Sequence, residues 1–447
     1  MSASDEATGP RRRVLWLSTA AFTLLFNVWL MLGVLAIPIR QDLGLTDTQL
    51  EWMLAVAILA GALFRLNFGI WADRFGGRTV TGLLLLGTAL PTFLFSQAAT
   101  YTQMLICAAL FGLAGNSFSA GVSWNSAWFP SHLKGRALGI FGAGNVGAAG
   151  TKLLIVCVPG ILTIVPAAGY FSGIIPGGWR VIPAFYAALL VLMAGAVFYL
   201  SPRQDRKPGN GRLVREMLKP LRHVRVWRFG LYYIVVFGAY VALSGWLPKF
   251  YVDNYGVPLT TAALLSATFI VPASLLRPFG GYLSDRCGPR GITYAVLIVM
   301  SCVLLALSMP SGRFIMDAHG ANGAPITFTY KLGLWAFAAL MFVLGCAMGI
   351  GKASVYKYIP DYFPEDVGAV GGIVGMLGAL GGFFLPPAFG LLGRWTGMPQ
   401  LAFAALLVLT ACSLVWLHVV VLRLRDANSQ LDSEGRLPAA YTAASPL

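Results

Sequence analysis

Twelve times along the chain an apolar run recurs that is long enough to cross a bilayer, at roughly 14–39, 48–70, 79–98, 102–128, 136–158, 181–201, 228–252, 260–283, 291–309, 331–357, 367–392 and 399–423. A spanning helix needs about 20 predominantly apolar residues. Inside hydrocarbon a backbone satisfies its own hydrogen bonds only as a helix or a closed barrel. The runs are continuous rather than alternating, and they far exceed the roughly 10 residues of a barrel strand. They predict an all-α polytopic membrane protein with 12 transmembrane helices. Composition agrees: 57% of the 447 residues are hydrophobic and 11% are charged, against about 25% charged in a soluble domain. The first run follows MSASDEATGPRRR, is too long for the apolar part of a signal peptide and has no small-residue cleavage site near its end. It is therefore expected to remain as the first helix.

The chain carries 32 Lys plus Arg against 17 Asp plus Glu, a net charge of +15. In a soluble protein that balance points to nucleic acid; between membrane spans it marks the cytoplasmic loops. With the N-terminus inside, Arg11 to Arg13, Arg74, Arg78, Lys134, Arg136, nine residues between Arg203 and Arg228, Arg286, Arg290, Arg423, Arg425 and Arg436 all fall on one side, 21 of the 32. Both termini are predicted cytoplasmic, with no nucleic-acid partner. The organisation that follows is a tail at 1–13, a six-helix bundle at 14–201, a basic linker at 202–227, a second bundle at 228–423 and a tail at 424–447. Six cysteines, without a CxxC or a His/Cys cluster, read as free buried thiols rather than metal ligands.

The two bundles repeat each other. The first contains FRLNFGIWADRFGGR, with Arg65, Gly69, Asp73, Arg74, Gly76 and Arg78; the second contains SLLRPFGGYLSDRCGPR, with Arg277, Gly281, Asp285, Arg286, Gly288 and Arg290. The spacings are identical at an offset of 212 residues. SAWFPSHLKGRALGIFGAGNVGAAG is likewise matched by PDYFPEDVGAVGGIVGMLGALGG at an offset of 234, the difference fitting a longer outer loop near 310–330. Two parallel six-helix repeats around a central path are a transporter architecture.

All 17 acidic residues fall in loops, tails or helix ends, whereas Arg65, Lys152, Arg277, Lys352 and Lys357 lie within helices. Each arginine is eight residues from its loop aspartate, about 12 Å along a helix, against about 15 Å for half the hydrocarbon core. Charges at that depth are costly and face a polar cavity. Cations there without carboxylates call for a mobile anion, and the guanidinium fork suits a planar oxyanion. Lysine, unlike arginine, exchanges its proton, which makes Lys152, Lys352 and Lys357 candidates for proton coupling; Lys352 and Lys357 lie on different faces of one helix. Gly142, Gly144, Gly147, Gly375, Gly378 and Gly381 suit close helix packing and sliding. Asn145 is the polar residue among them placed to touch substrate.

The doubled G-x3-D-R-x-G-x-R loop, with Gly69, Asp73, Arg74, Gly281, Asp285 and Arg286, resembles the helix 2–3 loop signature of the major facilitator superfamily. The segments GIFGAGNVG and GGIVGMLGALGGFFLP resemble the paired nitrate signatures of its nitrate/nitrite porter family. The resemblance implies the major facilitator fold, a monomer without cofactor in a bacterial inner membrane, and transport of nitrate or nitrite. It implies aromatic rings about the anion from helices 4 and 7, which here are Phe118, Tyr233 and Phe237. Lys152 and the segment GIGKASVYKYIP depart from the better-known exchanger branch and favour proton-coupled nitrate uptake over nitrate/nitrite antiport. A small-carboxylate exchanger of the oxalate/formate type and a nitrate sensor are the other readings. No GxxxxGK[ST] phosphate loop is present to hydrolyse ATP.

Overall fold

The computed structural model describes residues 8–429 apart from 159, 162–165, 167, 168, 172, 175, 176, 208–215, 217, 218, 310, 311, 320–324, 331 and 364–366. Much of the expected basic linker and both outer parts of the tails lie outside the described residues. Within them are the 12 expected spans. They are α1 (Gly9–Leu43), α2 (Asp47–Phe75), α3 (Gly77–Gln97), α4 (Tyr101–Trp128), α5 (Ala137–Cys157), α6 (Gly178–Leu200), α7 (Val224–Tyr255), α8 (Leu259–Cys287), α9 (Pro289–Ser308), α10 (Leu334–Ile359), α11 (Ala369–Thr396) and α12 (Leu401–Arg423). The all-α expectation holds for every span, and one connection adds a short hairpin. The connection between α9 and α10 holds an antiparallel hairpin of β1 (Gly312–His319) and β2 (Pro325–Tyr330). It lies outside the spans, where water can serve an open sheet edge.

Local chemistry sets the ends of these helices. Thr46 and Thr100 cap α2 and α4 in reciprocal boxes with Gln49 and Gln103, each satisfying two otherwise orphaned N–H groups. The turns between α2 and α3 and between α8 and α9 pivot on Gly76 (φ 94°) and Gly288 (φ 76°), the same glycine of the repeated loop. Only glycine adopts that backbone without strain. Crossing parity puts both loops on one face of the bundle, here the motif face; the other is the far face. A Cβ on Gly76 would also stand 2.7 Å from Asp205 Oδ2. Gly76→Ala is therefore expected to lower stability by about 1–3 kcal/mol, seen as a reduced thermal transition of the detergent-purified protein.

α2 and α8 break at matched positions, one residue before each arginine. The helices are interrupted at Phe64 (φ −93°, ψ 7°), which leaves the helical region, and at Leu276 (φ −79°, ψ −1°), which stays at its edge, and a new helical segment starts at Arg65 and at Arg277. In α8, Pro272 and Pro278 flank the break and explain it through a missing N–H and ring clash. α2 breaks there without a proline. α4 and α5 tighten to 3₁₀ geometry at Leu113–Asn116 and Gly144–Ala149, and α7 widens to a π turn at Ile234–Gly238. Such irregular turns concentrate at functional sites, and all of these lie in the middle of their spans.

The two halves meet along α1–α7, α2–α11 and α5–α8. On the α1–α7 seam a Cβ on Gly33 would come 2.7 Å from the Gly245 Cα, so the backbones touch. Far-face ion pairs bridge the halves: Arg394 to Glu51 at 3.0 Å and Lys249 to Asp47 at 3.5 Å. The cysteines are free, as expected, but their burial differs: Cys107 is buried, Cys346 is half-buried, and Cys157, Cys287, Cys302 and Cys412 are exposed. Cys302 and Cys412 sit within α9 and α12 on the outside of the bundle. An apolar run does not distinguish a side chain facing acyl chains from one facing the protein interior.

Candidate functional site

The two arginines meet at the centre. Arg65 is 0% exposed and Arg277 is 3% exposed, and both guanidiniums lie against the Phe118 ring, at 5.6 and 5.0 Å from its centroid. Each packs on a signature glycine of the opposite half. Arg65 Nη1 donates to the Gly375 carbonyl at 3.2 Å, while a Cβ on Gly142 would stand 2.7 Å from Arg277 Nε. The absence of a side chain at Gly142 lets the halves close on Arg277, whereas a Cβ on Gly375 would stand 3.0 Å from the Tyr356 hydroxyl and 3.5 Å from Arg65 Nη1. Arg65 Nε donates to the Gly61 carbonyl at 3.1 Å and Arg277 Nη2 to the Tyr233 hydroxyl at 3.5 Å. Arg65 Nη2 and Arg277 Nη1 are buried with no hydrogen-bond partner among the described residues. One guanidinium N–H₂ group from each half is thus left to receive an acceptor.

Aromatic rings enclose the pair. Arg65 lies over Phe237 at 5.1 Å and Trp29 at 5.4 Å, and Arg277 lies over Tyr356 at 5.5 Å. The expected helix-face neighbours Tyr233 and Phe237 are stacked at 4.9 Å and 13°, even though the π turn runs between them. The rings thus lie on the cations, where attraction is worth about 2 kcal/mol when desolvated. Trp29 and Tyr356 were not singled out from sequence. Tyr356 carried a signal, four residues after Lys352 and so one turn away on the same helix; Trp29, one of 12 tryptophans, carried none.

The other expected residues divide into two groups. Asn145 is buried with neither side-chain atom partnered among the described residues. Its carbonyl accepts from the Tyr240 hydroxyl at 3.0 Å, which also meets Ser274 Oγ at 3.0 Å. Lys352 is 0% exposed, its Nζ lies 3.4 Å from the Tyr240 ring centre, and that Nζ has no hydrogen-bond partner among the described residues. Lys352 stands at the 234-residue offset from Phe118, so a cation in one half answers a ring in the other. Lys152 is also buried, with Nζ on the Ala148 carbonyl of its own helix at 3.0 Å.

Lys357 does not join them. It is 32% exposed and pairs with Asp285 at 2.7 Å and Asp361 at 3.9 Å, against the expectation that no carboxylate stands near these cations. The matched position in the first half is Ser123, which donates to Asp73. In both halves, then, α4 or α10 holds the loop aspartate, a contact that spacing along one helix cannot reveal. Gly144 and Gly147 abut Phe22 and Thr23 of α1, and Gly378 and Gly381 abut Tyr233 and Ile234 of α7. A Cβ on Gly378 would lie 2.3 Å from Tyr233 Cδ1. Overpacking costs about 1–3 kcal/mol, so Gly378→Ala is expected to weaken anion binding about tenfold, measured by calorimetry on purified protein.

A groove between the halves, lined by Leu66, Gly69, Asp73, Ser123, Ala369 and Gly372, runs from the motif face up to Phe118 and Tyr356. Those two rings meet edge to face at 5.5 Å and separate the groove from the guanidiniums. Ion pairs bridge the far face, and the groove opens to the motif face on the other side of the two rings from the guanidiniums.

A twelve-helix, two-half bundle with one central site between the halves is the architecture of a membrane carrier. Family comparison agrees: the Major Facilitator Superfamily model matches residues 17–329 and 253–443. Over 423 residues, 94% of each chain, the protein is 57% identical to a probable nitrate/nitrite antiporter, NarK1, of Thermus thermophilus. It is 29% identical over 397 residues to a nitrite extrusion protein of Bacillus subtilis, covering 88% of this chain and 91% of the other. It is 28% identical over 401 residues to a probable nitrate transporter, NarT, of Staphylococcus epidermidis, covering 90% and 94%. Among solved structures, a bacterial homolog of the human lysosomal transporter Spinster, inward-facing and unoccupied, superposes with TM-score 0.63 at 19% identity, covering 92% of this chain and 94% of the other. The chain belongs to the major facilitator superfamily and, within it, to the nitrate/nitrite porter family. It is a multi-pass membrane transporter, not an enzyme.

Proposed function

We propose that the protein carries nitrate, and nitrite by the same site, across a bacterial inner membrane by alternating access, with the anion clamped between Arg65 and Arg277. The observation that supports this most is the pair of buried guanidiniums, one from each half, each with an unpartnered nitrogen and with no carboxylate within ion-pair distance among the described residues. A monovalent planar anion offers oxygens to both forks at once. It also offsets the repulsion that opposes closure of the halves, which biases the carrier toward movement when loaded. One chain supplies both jaws, so a monomer suffices. The bias of Lys and Arg to the motif face orients that face, and both chain ends, toward the cytoplasm.

For coupling, Lys352 and Lys152 support proton-driven nitrate uptake. Both are buried lysines without a carboxylate partner among the described residues; Lys352 Nζ also has no acceptor there, and an ammonium buried without an acceptor is costly. Proton exchange at Lys352, beside the clamp, ties its charge to the arrival of the anion. A second reading, nitrate/nitrite exchange, is favoured by the Thermus thermophilus relative, which is described as a probable nitrate/nitrite antiporter. Proteoliposomes separate the two. Proton symport predicts that an inward pH gradient drives nitrate accumulation with no internal anion and acidifies the lumen. Uptake that requires internal nitrite and moves no protons establishes exchange instead. Uptake of formate or oxalate in preference to nitrate would sink the substrate assignment.

A further inference from the structure

The repeat that places the arginines also relates two sites at the motif face, and among the described residues only one of them holds a carboxylate. In the first half, Asp205 of the linker sits in a cradle. Its carboxylate accepts from the Arg78 amide at 2.8 Å, the Trp124 indole at 3.2 Å and the Trp128 indole at 2.9 Å, next to Gly76. In the second half the 234-residue offset places Tyr358 and Tyr362 where Trp124 and Trp128 stand, and the 212-residue offset places Gly288 and Arg290 where Gly76 and Arg78 stand. The donors persist: Arg290 donates to the Tyr362 hydroxyl. A further cation is added, because Arg228 is buried over Phe229, among Tyr232, Tyr358 and Tyr362.

Among the described residues no carboxylate takes the place of Asp205. Among the described residues no Asp or Glu is within ion-pair distance of Arg228 or Arg290, and a Cβ on Gly288 would have nothing within 4 Å, whereas one on Gly76 would touch Asp205. The Tyr232 hydroxyl, on a residue 1% exposed, has no hydrogen-bond partner among the described residues.

We propose that Arg228, Arg290 and their tyrosines form a site for a phosphate-bearing anion, supplied by a phospholipid headgroup of the adjoining leaflet. Arginine forks match phosphate oxygens in pairs, and tyrosine hydroxyls add neutral donors. Both arginines stand in the first turns of their spans, at headgroup depth, where basic pockets between helices recognise anionic lipids. The headgroup would do for the second half what Asp205 does for the first: fix the loop between α8 and α9 against α10. The site is separate from the central clamp and does not depend on which anion that clamp carries.

Native mass spectrometry of the full-length protein in mild detergent tests this, with phosphatidylglycerol, phosphatidylcholine or inorganic phosphate added. Phosphatidylglycerol is expected to stay bound where phosphatidylcholine does not. Arg290→Gln and Arg228→Gln should each weaken its retention about fivefold or more, while Arg206→Gln, beside the filled cradle, leaves it unchanged. Retention of inorganic phosphate without a lipid preference, lost in the same two variants, supports the same phosphate chemistry with a solvent source. Equal retention by wild type and Arg290→Gln, or equal loss in all three variants, overturns the site. Arg228→Gln removes a buried cation, so the exposed change Arg290→Gln decides if that protein does not fold.

Discussion

Arg277→Lys is expected to cut nitrate uptake about 100-fold in a protein that still reaches the membrane. The substitution keeps the charge and removes the planar fork. It therefore loses the Tyr233 contact and the paired bonds of Nη1 to a bound oxyanion. Hydrogen bonds to charged groups are worth about 1.5–3 kcal/mol each, and about 2.7 kcal/mol corresponds to 100-fold. Arg65→Lys should fall by a similar factor, with loss of the Gly375 bond across the halves. The double variant should be little worse than either single one, because two jaws of one clamp are not additive. Nitrate uptake in proteoliposomes, normalised to protein inserted, measures all three. If Arg277→Lys transports within about threefold of wild type, charge alone suffices and the clamp is wrong.

Lys352→Met should separate driving force from binding. The side chain keeps its length and apolar contacts against the Tyr240 ring and loses the exchangeable proton. Accumulation driven by a pH gradient is expected to fall to background, while nitrate/nitrite counterflow across equal pH stays within about threefold, since the clamp arginines are untouched. Lys152→Met should show the smaller effect, because its Nζ already donates within its own helix. Gradient-driven accumulation that survives in both variants removes lysine from the coupling.

Much of the fold was readable because run length and repeat spacing are one-dimensional properties. The 12 spans, the two halves and the matched arginines needed no knowledge of packing. The depth of Arg65 and Arg277 followed from counting residues back from a loop that has to be wet. Lys357 shows where this fails. As a lysine within a helix it was a candidate for proton coupling, but it pairs with Asp285 on a different helix, and helix–helix neighbours are not encoded in the spacing of either one. Phe118 and Phe237 were legible as members of the site only through family resemblance; that they lie against the guanidiniums is set by contacts between separate helices.

Hydrophobic run length, the charge bias between loops and the absence of membrane-embedded acids were enough to make this a twelve-span carrier with a cationic centre, because each reflects the cost of placing a group in hydrocarbon. Which glycine touches which arginine, which lysine has a counter-ion and which motif-face cradle the linker fills were decided by tertiary packing. Gly375 meets Arg65, 310 residues away, and Asp205 reaches Arg78 across 127. The repeat makes the halves alike at the level of sequence. Among the described residues the structure makes them unequal, by placing Asp205 in the cradle of the first half, where the matched place in the second half holds Arg290 bonded to Tyr362.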